Sequence, residues 1–206
     1  MKKIVVVLIA LSFLLGGCRS GKSVIPDNTL YKEQPSTESK ATKIIENNPK
    51  EVKTLLSSDI AINRMSIYLG VAPEKLANRD LYSFVYSWLD VPYLWGGETR
   101  NGIDCSSFVQ RLYQKVYHTE IPRTSNQMFW FKDLKRFKKK KYLKEGDLVF
   151  FRINKEKTIS HVGVYLQNNK FIASGSSNGV HVEDLNDAYW ISTYVASGRV
   201  IKHSGE

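Results

Sequence analysis

Cys105 lies in Asn101-Gly102-Ile103-Asp104-Cys105-Ser106-Ser107-Phe108-Val109, a stretch that reads as a tight turn opening a helix. Asp104 suits the cap, because its carboxylate can accept a bond from an otherwise unpaired backbone N–H. Phe108, Val109, Leu112 and Val116 then recur at helical spacing, so Cys105 falls in the first turn of a helix that buries one face. Unpaired N–H groups and the positive end of the helix dipole converge there and favour the thiolate, the nucleophilic form. The alternative is a small buried core residue. A cysteine nucleophile needs a base within hydrogen-bond reach and a third group to orient that base. Of the four histidines, His203 lies in the tail and His118 reads as an exposed residue at a helix end. His161 opens the strand-like run His161 to Leu166 and is the candidate base, with a plain polar strand residue as the alternative.

The N-terminus bears on the cysteine. Lys2 and Lys3 precede an apolar run, Ile4 to Leu15, that is too short for an ordinary membrane span. Gly16, Gly17 and Cys18 follow, and the whole reads as an export signal outside the fold. Leu15-Gly16-Gly17-Cys18 resembles a bacterial lipobox, in which the cysteine is lipidated on sulfur and becomes the new N-terminus; an ordinary secretory signal is the alternative. The chain has two cysteines, so a lipidated Cys18 leaves Cys105 without a partner in the chain. A lone thiol in an exported protein is reactive or paired between molecules.

The elements that must position these residues follow from pattern. Residues 1–17 are the signal, and 18–50, rich in Ser, Thr, Asn, Pro, Lys and Glu, form a flexible tether behind Cys18. Residues 51–78 hold a helical lead-in, with Val52, Leu55, Leu56, Ile60, Met65 and Leu69 as its apolar positions. A domain over 79–203 begins with a helix from Asn78 to Leu89, whose Leu81, Phe84, Val85, Trp88 and Leu89 share a face. An aromatic loop with a double glycine follows, Val91-Pro92-Tyr93-Leu94-Trp95-Gly96-Gly97. Its glycines allow positive φ or close backbone approach. Strands are expected at 147–151, 161–166, 170–174, 180–183 and 195–201, with a hairpin signal at Asn168-Asn169. Helices first and strands after give an α+β domain with an antiparallel sheet.

Four segments, Pro92-Tyr93-Leu94-Trp95-Gly96-Gly97, Asp104-Cys105-Ser106-Ser107-Phe108, Gly146-Asp147-Leu148-Val149-Phe150-Phe151 and His161-Val162-Gly163-Val164-Tyr165, resemble the NlpC family in order and spacing. Ile121-Pro122-Arg123-Thr124-Ser125 is similar to the family's segment between helix and sheet, and the resemblance runs from about Leu81 to Ile201. These are papain-like cysteine peptidases of bacterial cell walls. The resemblance implies a papain-like α+β fold with N-terminal helices on an antiparallel sheet. It implies Cys105 as nucleophile, His161 as general base, and Tyr93 beside the nucleophile in contact with substrate. Asp104 and Ser106 would shape the subsite for the wall peptide, and the substrate would be a peptide bond of a peptidoglycan stem or crosslink.

The sequence departs from the family twice. Ser107 stands where a glycine is usual, which helix propensity tolerates. The family's third catalytic residue, commonly a histidine, falls twelve positions after the base, and here that position is Ala173. Three readings stay open: a Cys105–His161 dyad, an inactive wall-binding or scaffold protein, or a substitute side chain. His181 is the candidate substitute, since a hairpin around Gly175 to Gly179 would bring it opposite Ala173 on the same face. Amidase-type acyl chemistry on the same fold is a further rival.

The net charge of +10 suits an anionic partner. The run Lys135-Arg136-Phe137-Lys138-Lys139-Lys140-Lys141 reads as a solvated loop or helix end, or as a contact for wall polymer or lipid head groups. Neither a cofactor, a metal site nor a nucleic-acid motif is legible. The expected partners are peptidoglycan and a membrane reached through the lipid, with a monomeric protein in the cell envelope, on the outer membrane if the source has one.

Overall fold

The structure is a computed structural model and describes residues 49–153 and 158–201. These belong to one compact unit, Ile44–Glu206. The expected signal, Cys18 and nearly all of the tether lie outside the described residues.

The lead-in helix α1 (Pro49–Leu69) buries Ala61, Ile62, Met65 and Leu69 and ends at Gly70, whose φ is +62°. A left-handed residue of this kind closes a helix, and glycine adopts it without strain. Helix α1 packs on α2 (Arg79–Trp88), which Asn78 caps by accepting the Leu81 N–H at 3.1 Å. Leu81, Tyr82, Val85 and Trp88 are the buried face; Phe84 and Leu89 are only half-buried.

A short hairpin of β1 (Glu98–Thr99) and β2 (Gly102–Ile103) leads directly into α3 (Cys105–Leu112), which a π turn extends over Tyr113–Tyr117. After α4 (Ser125–Phe129) come β3 (Leu134–Phe137), β4 (Leu148–Phe151), β5 (His161–Tyr165), β6 (Lys170–Gly175) and β7 (Gly179–Asp184). Helix α5 (Ala188–Thr193) and β8 (Tyr194–Val200) complete the chain. One antiparallel sheet has the order β3-β8-β4-β5-β6-β7. This is the α+β architecture expected. The β5–β6 hairpin turns at Asn168 and Asn169, whose φ values are +51° and +58°, as a primed two-residue turn requires.

Both faces of the sheet are covered, which explains why Leu148-Val149-Phe150-Phe151 is apolar without alternation. On one face Leu148, Phe150, Val162, Val164, Ile172 and Val180 share a core with Leu81, Val85, Phe108, Val109 and Leu112 of α2 and α3. On the other, Val149, Phe151, Phe171 and Ala173 pack with Leu185 and with Trp190 of α5. Phe108, Phe150 and Phe151 are fully buried, each contributing about 2–3 kcal/mol by transfer from water.

The basic run is divided: Lys138 and Lys139 lie in a loop and Lys140 and Lys141 open a short 3-10 helix, as expected, but Lys135, Arg136 and Phe137 are strand. Leu134 to Phe137 pair with Val200 to Ser197 as an edge strand, with Leu134 buried and Lys135 and Arg136 exposed. Pairing to a distant strand overrides local composition here, and lysine on an edge protects it from further pairing. Helices α4 and α5 and the β1–β2 hairpin were likewise not legible, being too short to show a period.

Candidate active site

The site is built at the N-terminus of α3. Asp104 adopts an extended conformation (φ −84°, ψ 170°) and caps the helix, its Oδ1 accepting the Ser107 N–H at 2.7 Å. The approach to it is fixed by the aromatic loop. Ile103 N–H donates to Pro92 O at 3.0 Å, Asp104 N–H donates to Gly97 O at 3.1 Å, and Tyr93 bridges to Ile103. Gly96 has φ +71°, and a Cβ on Gly97 would lie 2.5 Å from the Gly102 carbonyl oxygen. The double glycine thus supplies one left-handed turn and one close approach. Ser174 on β6 donates from Oγ to Ile103 O at 2.7 Å, tying the loop to the sheet.

Cys105 is a free thiol, only 8% exposed. Burial pushes its pKa up to about 11, opposed by the backbone N–H of Val162; the Asp104 charge raises it further, and the N–H groups of Ser106 and Cys105 lower it. The thiol therefore meets donors from its own helix start and from the residue after His161, so α3 and β5 converge on the sulfur. The same N–H groups can serve a developing oxyanion.

His161 opens β5 opposite Phe151, where the pairing of β4 with β8 shifts register. Such a bulge re-aims side chains. The imidazole is buried, which lowers its pKa to about 4, and its Nε2 has no hydrogen-bond partner. It lies face to face with Trp190, ring centroids 5.4 Å apart and planes 21° apart, and against Phe151 at 5.9 Å.

One cleft of about 330 Å³ brings Cys105 and His161 together with Tyr93, Trp95, Ser125, Asn126, Ser160 and Ser176. Tyr93 stands close to both Cys105 and Asp104; burial, then the charges of those two groups, raises its pKa. Trp95 is 84% exposed at the rim. His118 is exposed at the C-terminal end of the π turn, in left-handed conformation.

Asp104 and Ser106 are both buried and engaged with each other, Ser106 Oγ donating to Asp104 Oδ1 at 2.9 Å. The partner that sequence reasoning missed is Arg123. Its Nη2 donates to Asp104 Oδ2 at 2.9 Å, its Nη1 to Ser106 Oγ at 3.0 Å, and its Nε to Glu98 at 2.9 Å. Burial pushes the Asp104 carboxyl up, but the Arg123 guanidinium, the Ser107 N–H and the Ser106 hydroxyl outweigh it and hold the group ionised below its usual range. No spacing rule links Arg123 to a helix cap nineteen residues earlier; the segment around it was noticed only through resemblance.

His181 does pair with Ala173 in the β6–β7 register, as expected. It does not, however, orient His161. The imidazole of His181 is half-exposed, it does not line the cleft, and the Nε2 of His161 is left unpaired. Two strand spacings of about 4.8 Å separate β7 from β5, and Ala173 lies between. Ser107 also differs from expectation: its hydroxyl is buried without a partner, so the gain in helix propensity over glycine is opposed by an unsatisfied polar group.

The NlpC/P60 family model matches residues 90–199. Over 201 residues the chain is 32% identical to a probable endopeptidase NlpC homolog of Haemophilus influenzae, covering 98% of this chain and all of that one. It is 37% identical over 117 residues to the murein DD-endopeptidase MepS/murein LD-carboxypeptidase of Escherichia coli K12, covering 57% of this chain and 60% of that protein. Among solved structures it is similar to an NlpC/P60 family protein of Bacillus cereus (TM-score 0.54, 29% identity, 61% of this chain and 41% of that one). A Staphylococcus aureus protein of the same family, described as similar to lipoprotein, gives a TM-score of 0.53 at 25% identity, again over 61% and 41%. The match to the family model spans both the Cys105 helix and the His161 strand, and the chain belongs to the NlpC/P60 family.

Proposed function

We propose that the chain hydrolyses a peptide bond of peptidoglycan, with Cys105 as nucleophile, His161 as general base and Tyr93 against the substrate. That it is a cysteine peptidase follows from its family. The observation that carries the finer reading is the convergence on Cys105 of N–H donors from the α3 start and from Val162, beside His161, in one open cleft.

The low pKa of His161 and the high pKa of Cys105 make the resting pair neutral thiol and neutral imidazole. The sulfur attacks the substrate carbonyl carbon as its proton passes to His161. The tetrahedral oxyanion is met by N–H groups at the helix start. Its collapse breaks the C–N bond, His161 returns the proton to the departing amine, and a thioester remains. Water, deprotonated by His161, attacks the thioester, releases a carboxylic acid and restores the thiol.

Buried Asp104 and Ser106, joined by half-buried Arg123, support a subsite for the wall peptide beside the nucleophile. We further propose that Cys18 carries lipid and tethers the domain to a membrane of the cell envelope, and that the protein acts as a monomer. A second reading, a wall-binding protein without activity, draws on Ala173 and the unpartnered Nε2. Digestion of purified peptidoglycan with the protein and with Cys105→Ala, followed by fragment analysis, separates them. New amino termini within the stem or crosslink, released by the wild type alone, support the peptidase; absence of fragments from both supports the binding role, and release of an intact stem peptide from the glycan identifies an amidase.

A further inference from the structure

The Nε2 of His161 is buried and unpaired, and the residue expected to hold it is Ala173. Something else must fix the plane of the imidazole, because rotation about its last torsion is soft. The side chain that covers the ring is Trp190, stacked at 5.4 Å and 21°. Trp190 is itself held from several sides. Its Nε1 donates to Glu183 Oε2 at 3.2 Å, and its rings contact Phe151 at 4.7 Å, Phe171 at 5.0 Å and Tyr189 at 4.9 Å. Ala173 belongs to the same cluster. A small residue there leaves the neighbourhood of His161 to apolar and aromatic packing.

We propose that Trp190 is the positioning residue for His161: its indole, anchored by Glu183, holds the imidazole plane by stacking where a third polar residue would hold it by a hydrogen bond. Stacking acts on the base in two ways. It restrains the ring to one plane, keeping the basic nitrogen aimed into the cleft. It also presents a π face to the imidazolium that forms during attack, which attracts a cation. The carboxylate of Glu183 on the indole N–H strengthens that face by polarising the ring. This inference rests on the assignment of His161 as the base, and it explains how the site can work with Ala173 in place.

The test uses the full chain with Trp190→Phe and Trp190→Leu, checked for folding by circular dichroism. The His161 Cε1 proton resonance, assigned by its loss in His161→Gln, reports the stack directly. It should lie upfield in the wild type under the indole ring current, less so in Trp190→Phe, and near its ordinary position in Trp190→Leu. Cleavage of peptidoglycan should lose kcat by roughly tenfold to a hundredfold in Trp190→Leu, with KM unchanged, and Trp190→Phe should recover most of it. An unshifted resonance in the wild type overturns the proposal without either Trp190 variant needing to fold. So does a folded Trp190→Leu with wild-type kcat. If the wild type releases no fragments, the peptidase assignment fails, while the resonance still decides whether the stack exists.

Discussion

Arg123 grips both oxygens of Asp104, with Nη2 at 2.9 Å from Oδ2 and Nη1 at 3.3 Å from Oδ1, while Oδ1 also accepts the Ser107 N–H at 2.7 Å. One carboxylate therefore caps the helix that opens at Cys105 and fixes a guanidinium from a segment beyond it. Asp104→Ala should destabilise the fold by about 1 kcal/mol for the lost cap and more for the buried polar groups left unpaired. Arg123→Lys should preserve the charge but lose the forked geometry, lowering kcat/KM with little change in Tm. Thermal melts and kinetics on both variants check this, and an Arg123→Lys enzyme with unaltered kinetics would remove the arginine from the site.

The pH dependence of the rate follows from burial. His161 must be neutral to accept the thiol proton, and its pKa is lowered to about 4. The acid limb of kcat/KM should therefore fall well below the ordinary histidine value of about 6.5, with a plateau through neutrality. The thiol, raised to about 11, sets no limb below that plateau's alkaline end. An acid limb at 6.5 or above would mean that the imidazole is solvated in the working enzyme.

Stability should respond to the same group. Between pH 6.5 and 4 the unfolded chain binds a proton at His161 that the folded chain refuses. The contribution of neutral His161 is thus fully present above 6.5, shrinks as pH falls, and levels off below about 4 after a loss on the order of 3 kcal/mol. In His161→Gln this part of the Tm-against-pH curve should flatten. A curve identical to wild type would contradict the burial of the imidazole.

Replacing His181 tests the geometry of the hairpin. It is half-exposed and unattached to His161, so His181→Ala should leave kcat within about twofold and stability within about 0.5 kcal/mol. A sharp loss of activity would restore His181 as the third residue.

Ser107 offers a gain. Its hydroxyl is buried in α3 without a partner, and removing it relieves an unsatisfied group while improving helix propensity. Ser107→Ala should raise stability by about 1 kcal/mol, read as a higher urea midpoint. A lower midpoint would reveal a partner for that hydroxyl.

The sequence by itself determined the local parts. Asp104 as cap, Asn78 as cap, the turn at Asn168-Asn169, the glycines after Trp95 and the apolar runs of β4, β5 and β6 each follow from side-chain chemistry acting within a few residues. The motifs around Cys105 and His161 pointed to a cysteine peptidase through their resemblance to the NlpC family, and even the pairing of Ala173 with His181 followed from the loop between them. Tertiary structure alone decided what surrounds those residues. The start of the basic run, Lys135 to Phe137, became an edge strand because β8 offered hydrogen bonds to it. Arg123 reached Asp104, and Trp190 reached His161, across long stretches of chain. Contacts of this kind carry no period and no local propensity. They arise only when packing both faces of a sheet brings distant segments to the same end of it, which is why Cys105 and His161 could be singled out from the sequence and the side chains packed around them could not.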